Sequence, residues 1–317
     1  MNKPEICQVA IIGAGKIARE HARAFRDVPG VSLAGIYSRT RSRAEELASE
    51  FGISTVSESV AELYERTRAD IVVITVCVTE MSVVSRSSFE FPWTVLMEKP
   101  VGYNWREARE IQQAAAERNS KVLVGLNRRF FSSTRAAQAD LDQSRSPRYI
   151  HVQDQQSLAQ AAAAGHPRIV IENWMYANSI HVIDYLRAFG RGAVAKVTPI
   201  VRWNARAPGL VLAKIEFESG DLGLYEGIWD GPGPWAVSIT TPEKRWEMRP
   251  LERAGFQSRG ERRLRQIELS RWDQDFKAGF RLQAEMAVAS AMGRSSDAPA
   301  LDEAMETMKL IREIFGQ

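Results

Sequence analysis

The chain is poor in the residues that staple or metallate a protein. Its 317 residues hold only two cysteines, Cys7 and Cys77, and four histidines. Two thiols exclude a disulfide framework and a Cys-rich metal site. Both lie in apolar, strand-like runs, so both are expected as buried free thiols in a reducing compartment. No cluster of His, Cys and carboxylates stands at ligand spacing, and no metal is expected. Charge of one sign is also lacking: 42 basic against 39 acidic residues leave a formal +3. That balance argues against nucleic acid and membrane surfaces as partners but tolerates an anionic small molecule. No apolar stretch approaches the roughly 20 residues of a membrane span. The apolar run near the N-terminus is short and breaks into a glycine turn, so no signal sequence is expected and the cytoplasm is the expected location. Hydrophobic residues at 44% and charged residues at 26% are ordinary for a folded globular chain. The length suggests two domains, each able to bury a core.

What is present is organised around Val9 to Ala18, VAIIGAGKIA. Val9-Ala10-Ile11-Ile12 reads as a buried strand of a parallel sheet. Gly13-Ala14-Gly15-Lys16-Ile17-Ala18 then fits G-x-G-x-x-G/A at the head of a helix. Gly13 permits the tight turn, Gly15 lets backbone approach a pyrophosphate, and Ala18 lets the helix lie close on the strand. The N–H groups and positive end of that helix suit phosphates. The following positions Ile17, Ala18, Ala22, Phe25 and Val28 form an amphipathic face, which favours a dinucleotide site over a plain turn.

Residues 31–37 read as the second strand of this unit. At its end an Asp or Glu would hold the ribose 2′-hydroxyl of NAD; no acid stands between Val31 and Glu45. Ser38, Arg39, Thr40, Arg41 and Arg43 follow instead. Arginine pairs with a 2′-phosphate that an acid would repel, so NADP(H) is favoured over NAD(H). The alternative is that Arg41 or Arg43 is a solvated residue of the next helix, 41–51. A third strand is expected at 53–56 with Ser57 capping a helix to about residue 67, and a central strand at 71–78. Val78 and Thr79, at its carboxyl end, are expected to line the cofactor crevice. Val95 to Pro100 is another strand, ending in Glu98-Lys99-Pro100. A lysine there can donate to a substrate oxygen and stabilise alkoxide character, or simply form a surface ion pair; Lys99–Pro100 is a candidate cis bond. A helix at 104–119 and a strand at 122–126 complete the half, which exits through Gly125-Leu126-Asn127-Arg128-Arg129-Phe130.

The GAGKIA turn, the Glu98-Lys99-Pro100 tripeptide and the GLNRRF exit together resemble the Gfo/Idh/MocA family of NAD(P)-dependent sugar and polyol oxidoreductases. Order and spacing agree along the first 130 residues. The resemblance implies a Rossmann domain over 1–126, a substrate-binding and oligomerising α+β domain over 127–298, and a C-terminal helix over 299–317 packing back towards the Rossmann domain. It implies that Lys99 assists catalysis and touches the cofactor, that Pro100 follows in cis, and that Ser38-Arg39 suits NADP. Gly13, Gly15, Lys16, Ile17, Ser38, Arg39, Arg43, Val78, Thr79, Glu98, Lys99, Pro100 and Asn127 are the expected cofactor contacts.

The second half alternates as half-buried antiparallel strands. Val211, Ala213, Ile215 and Phe217 share one face, with Lys214, Glu216 and Glu218 opposite, and Ser219-Gly220-Asp221 is a hairpin turn. The expected fold is therefore an α/β Rossmann domain plus an α+β domain with an open, mostly antiparallel sheet. In the family that sheet's outer face commonly joins subunits, so a homodimer or homotetramer is expected. Residues 251–271 hold six arginines against three glutamates, read as a solvated basic surface or as help in holding a phosphorylated or nucleotide-linked sugar. Leu301, Met305, Met308, Ile311 and Phe315 form a core stripe of a closing helix.

Asn173 to Asp184 resembles the family segment in which a small-residue run opens a helix carrying a catalytic histidine before Ile-Asp. His181 matches that histidine, and His166 is its rival. Many members carry an acid four positions earlier, where this chain has Ala177; Asn178 beside it cannot ionise. The expected activity is hydride transfer between NADP(H) and a sugar or nucleotide-sugar carbon, with Lys99 polarising the oxygen and His181 exchanging its proton. Lys99, Arg129, His166, Asn173, Tyr176, Asn178, His181 and Lys277 are the expected substrate contacts. Two other readings are an NAD-dependent polyol or hexose dehydrogenase and a regulator that holds a dinucleotide without turning it over.

Overall fold

The computed structural model describes residues 6–317. The chain forms two compact units. One runs to Asn127 and adds Trp272–Met305; the other is Arg128–Arg271 with Glu306–Gln317.

The first unit is built on six parallel strands: β1 (Cys7–Ile12), β2 (Val31–Tyr37), β3 (Thr55–Ser57), β4 (Ile71–Ile74), β5 (Thr94–Glu98) and β6 (Val122–Gly125). Their spatial order is β3-β2-β1-β4-β5-β6. The direction of winding reverses between β1 and β4, which opens a crevice at the carboxyl ends of those strands. The connecting helices are α1 (Lys16–Asp27), α2 (Arg41–Phe51), α3 (Val60–Thr67), α4 (Met81–Ser88) and α5 (Trp105–Glu117). Ala18, Ala22 and Phe25 of α1 share one core with Val9, Ile11, Ile71 and Val73 of the sheet. Phe280, Ala284, Ala287 and Val288 of a later helix, Phe280–Ala291, complete that same core. Each large apolar side chain buried there contributes about 1.5–3 kcal/mol before conformational entropy is subtracted.

Local chemistry moves several boundaries from their sequence-based positions. β4 stops at Ile74 rather than Val78. Thr75 turns the chain by donating to the Ile12 carbonyl from both its backbone nitrogen (2.8 Å) and its hydroxyl (3.0 Å). A single 3₁₀ turn, Val78–Glu80, follows. Cys77 therefore lies outside the strand and is exposed, not buried, whereas Cys7 is buried and its thiol is pushed up to about 11 by burial. Ser57 belongs to β3; the cap of α3 is Ser59, whose hydroxyl accepts from Glu62 N at 3.1 Å.

The second unit holds β7 (Tyr149–Gln156), β8 (Val194–Val201), β9 (Leu210–Phe217), β10 (Leu222–Trp229), β11 (Ala236–Thr240), β12 (Lys244–Met248), β13 (Ala254–Ser258) and β14 (Arg265–Gln266). The order is β14-β13-β12-β11-β7-β10-β9-β8, and only the β7–β10 pair is parallel. This is the open, mostly antiparallel sheet expected. Val211, Ala213, Ile215 and Phe217 are buried, while Lys214 and Glu216 pair at 2.9 Å on the other face. The β9–β10 turn runs through Gly220, at φ +85°. A capped helix, Leu158–Ala163, occupies the Ala-rich stretch: the Ser157 hydroxyl accepts from Gln160 N. All six arginines of 251–271 are exposed. The stripe Leu301, Met305, Met308, Ile311 and Phe315 is buried. Among the described residues no helix is long and apolar enough to cross a membrane.

Candidate functional site

The turn after β1 is closed by Gly13, at φ +105°, whose nitrogen donates to the Tyr37 carbonyl. A Cβ there would lie 2.6 Å from the Thr75 hydroxyl and 2.8 Å from its carbonyl oxygen, so only glycine fits. Gly15 faces open space and caps α1 without a side-chain hydrogen bond. The first-turn N–H groups of a twelve-residue helix therefore point at a surface shaped for an anion. A cavity of about 320 Å³ runs from Gly13 to Gly15 towards the end of β2, lined there by Ser38, Arg39 and Arg43, and across the crevice by Thr75 to Cys77 and Glu80. These residues fit the adenosine end of a dinucleotide. Lys16 and Ile17 head α1, while Val78 and Thr79 sit half-buried in the 3₁₀ turn and do not line this cavity. Arg41 turns away to Glu45 and Glu58. Arg39 pairs with Glu80 at 3.0 Å.

Glu98, at the end of β5, is anchored from behind. Its Oε1 lies 2.7 Å from Nε2 of His21, a fully buried ring held beside Phe280 at 4.8 Å between centroids. Gly125 leaves the space this carboxylate needs, since a Cβ there would come within 3.0 Å of Oε1. Lys99 follows, half-buried, and the Lys99–Pro100 bond is cis. Asn127 donates to the Ala278 carbonyl at 3.1 Å, beside Lys277, whose ammonium lies over the Phe280 ring.

In the second unit His181 stands at the start of the helix Ile180–Phe189, just after a π-helical turn, Met175–Ser179. Such turns interrupt regular packing and recur at functional positions. Arg128 donates from Nη1 to His181 Nδ1. A guanidinium only donates, so Nδ1 accepts and the neutral ring carries its proton on Nε2. The Arg128 guanidinium also lies 5.2 Å from the centre of the Trp235 ring, itself 6.1 Å from the His181 ring. Arg129 clasps Asp184 through both arms at 2.8 Å, and Thr307 adds a third bond to that carboxylate.

Trp235 also lines a cavity of about 400 Å³ with Gln155, Gln156, His166, Trp174 and Asn178. Gln156 organises it. Its Oε1 accepts from Trp174 Nε1 at 2.8 Å and Asn178 Nδ2 at 2.7 Å, while its Nε2 donates to Asp154 at 2.6 Å. Asp154 accepts in turn from the Tyr225 hydroxyl at 2.8 Å. Burial raises the Asp154 carboxyl above its usual range, and the donors around it pull back against that rise. The indole and imidazole faces beside side-chain amides suit a ligand with many hydroxyl groups. His166 and Asn178 thus share one cavity. Asn173 bonds its own helix at Ile169, and Tyr176 is buried, its phenol lifted to about 12 by burial; neither lines the cavity.

Residues 7–126 match the family described as oxidoreductase family, NAD-binding Rossmann fold, Gfo/Idh/MocA. This segment carries the likeness to Gfo/Idh/MocA. Glucose-6-phosphate 3-dehydrogenase of Bacillus subtilis (strain 168) is 30% identical over 126 residues, 39% of this chain and 35% of that protein. The 4-carboxy-2-hydroxymuconate-6-semialdehyde dehydrogenase of Sphingobium sp. (strain NBRC 103272 / SYK-6) is 22% identical over 203 residues, 61% of this chain and 62% of that protein. The chain thus spans less than two thirds of either relative. A solved dehydrogenase of Chromobacterium violaceum shares the fold at TM-score 0.84 and 16% identity, covering 98% of this chain and 94% of that one.

Within residues 7–126, the Glu80–Arg39 pair and the His21 support of Glu98 carry no local sequence signal. Beyond that segment, Arg128, Gln156, Trp174 and Trp235 acquire their roles only through contacts made in the fold. Apart from the Gln156–Asp154 bond, the partners that give these roles lie 18 to 107 positions away, and no local spacing signals such pairs.

Proposed function

We propose that the protein is an NADP(H)-dependent oxidoreductase that moves a hydride to or from a hydroxyl- or carbonyl-bearing carbon of a sugar or nucleotide-sugar. The observation that carries this reading is the head of α1, where the Gly15 cap puts no side chain over the first turn and the helix opens on a cavity edged by Ser38, Arg39 and Arg43. The dinucleotide, when bound, supplies or accepts the hydride. The first-turn N–H groups hold the pyrophosphate, and Arg39 and Arg43 answer the 2′-phosphate. Lys99 donates from Nζ to the reacting oxygen, and His181 exchanges that oxygen's proton at Nε2. Gln156, Asn178 and His166 read hydroxyl groups against the faces of Trp174 and Trp235. Arg129 holds Asp184 one turn after His181, on the same helix. The assembly is a cytoplasmic homodimer or homotetramer joined through the open sheet. A second reading, a regulator that binds a dinucleotide without turnover, is favoured by Ala177 in place of an acid.

The test is dinucleotide turnover on a panel of sugars, polyols and nucleotide-sugars, with Lys99→Met alongside the wild type. Turnover that Lys99→Met lowers by about 100-fold or more, with dinucleotide affinity retained, supports the enzyme. Tight binding with no turnover on any substrate supports the regulator. No binding of either dinucleotide removes both readings.

A further inference from the structure

The end of β2, where the ribose 2′-position is read, carries Ser38 and Arg39 and no acid. The fold nevertheless delivers one from another strand. The chain turns at Thr75, and the 3₁₀ turn Val78–Glu80 brings Glu80 across the crevice to Arg39, 3.0 Å from its Nη1. Glu80 and Arg39 line the same cavity, together with Ser38 and the glycine turn. Arg41, the other strongly engaged arginine of the segment, is drawn off to Glu45 and Glu58.

We propose that Glu80 is a specificity-determining residue that works against the 2′-phosphate preference of Arg39 and keeps the site open to NAD(H). This rests on the dinucleotide reading of the first unit. A carboxylate here accepts a hydrogen bond from a 2′-hydroxyl without disturbing Arg39. A 2′-phosphate must instead pull Arg39 from Glu80 and then sit beside a like charge. The pair is solvent-accessible, Arg39 at 70% and Glu80 at 34%, so the ion pair itself is weak and the repulsion is partly screened. Coulomb repulsion of this kind in a water-like medium is worth about a fivefold change in affinity, and more where the cavity excludes water. Selectivity between the two dinucleotides is then a contest between Glu80 and the arginines Arg39 and Arg43, which line the same cavity.

The experiment is a fluorescence titration of the full chain with NADPH and NADH, repeated with the fragments 2′,5′-ADP and 5′-AMP, for wild type, Glu80→Gln, Arg39→Ala and the double variant. Glu80→Gln is expected to raise the NADPH-over-NADH and 2′,5′-ADP-over-5′-AMP affinity ratios at least about fivefold. Arg39→Ala is expected to lower both. In the Arg39→Ala background, Glu80→Gln is expected still to raise them, because the repulsion outlasts the ion pair. Ratios that stay within twofold in Glu80→Gln, while Arg39→Ala shifts them, overturn the role of Glu80 and leave the dinucleotide site standing. Failure of the wild type to bind any of the four probes removes the site and the proposal together.

Discussion

Asp221→Asn is expected to destabilise the second unit in a way that depends on pH. Asp221, at the β9–β10 turn, is fully buried. Its Oδ1 accepts from Arg148 N at 2.9 Å and Arg191 Nη2 at 2.6 Å; its Oδ2 accepts from Arg191 N at 3.1 Å and Nε at 2.9 Å. Burial alone would raise this carboxyl. The Arg191 fork and the two backbone donors outweigh it and hold the group at about 2, below its ordinary 3.8. That depression is worth about 2 kcal/mol at neutral pH. Because the folded value lies below the unfolded one, the contribution is present above pH 3.8 and is lost as pH falls towards 2. The asparagine also turns an amide N–H towards donors that need an acceptor, so a loss of about 2–4 kcal/mol is expected at pH 7. Urea unfolding followed by tryptophan emission at pH 7 and pH 3 measures it. The gap between wild type and variant should narrow by about 1 kcal/mol at pH 3. An equal gap at both values refutes the ionic account and leaves only the shape of the turn.

Two further substitutions probe the second unit. Arg128→Met should release His181 Nδ1, and nitrogen–proton correlation spectra of the four histidine rings should show His181 change from a single Nε2–H form to a mixture; an unchanged ring signal contradicts the hydrogen bond as drawn. Gln156→Leu removes the acceptor shared by Trp174 and Asn178, so it should raise KM for the substrate about tenfold while dinucleotide affinity stays constant, and unchanged KM means that this cavity does not read the substrate.

The features legible in the sequence are those written in consecutive residues. The apolar run into Gly13 and Gly15 and the alternation of Val211 to Phe217 each follow from local sterics or a short period, whereas the cis bond after Lys99 is expected from the resemblance of Glu98-Lys99-Pro100 to the family tripeptide. The apolar pattern of Val76, Cys77 and Val78 carries the expected strand past Ile74, where β4 ends. The turn is made instead by Thr75 bonding a strand sixty-three positions earlier. Two serines, Ser57 and Ser59, stand near the start of α3 and either could cap it by sequence; the hydroxyl that meets Glu62 is that of Ser59. The contacts least visible were long-range polar pairs, Glu80 with Arg39 and His181 with Arg128. No residue in either pair departs from ordinary composition. What gives them meaning is the company the fold assigns them.

The first unit's core is finished by Phe280, Ala284, Ala287 and Val288, and this has a consequence for biosynthesis. A ribosome that has made the six strands of the parallel sheet has yet to make the helix that covers them. At ordinary elongation rates of about 5–20 residues per second, the wait is roughly 10–30 s. During that interval the exposed faces of Ala18, Ala22 and Phe25 are natural chaperone targets. The unit that would hold the dinucleotide is the first begun and among the last to be closed.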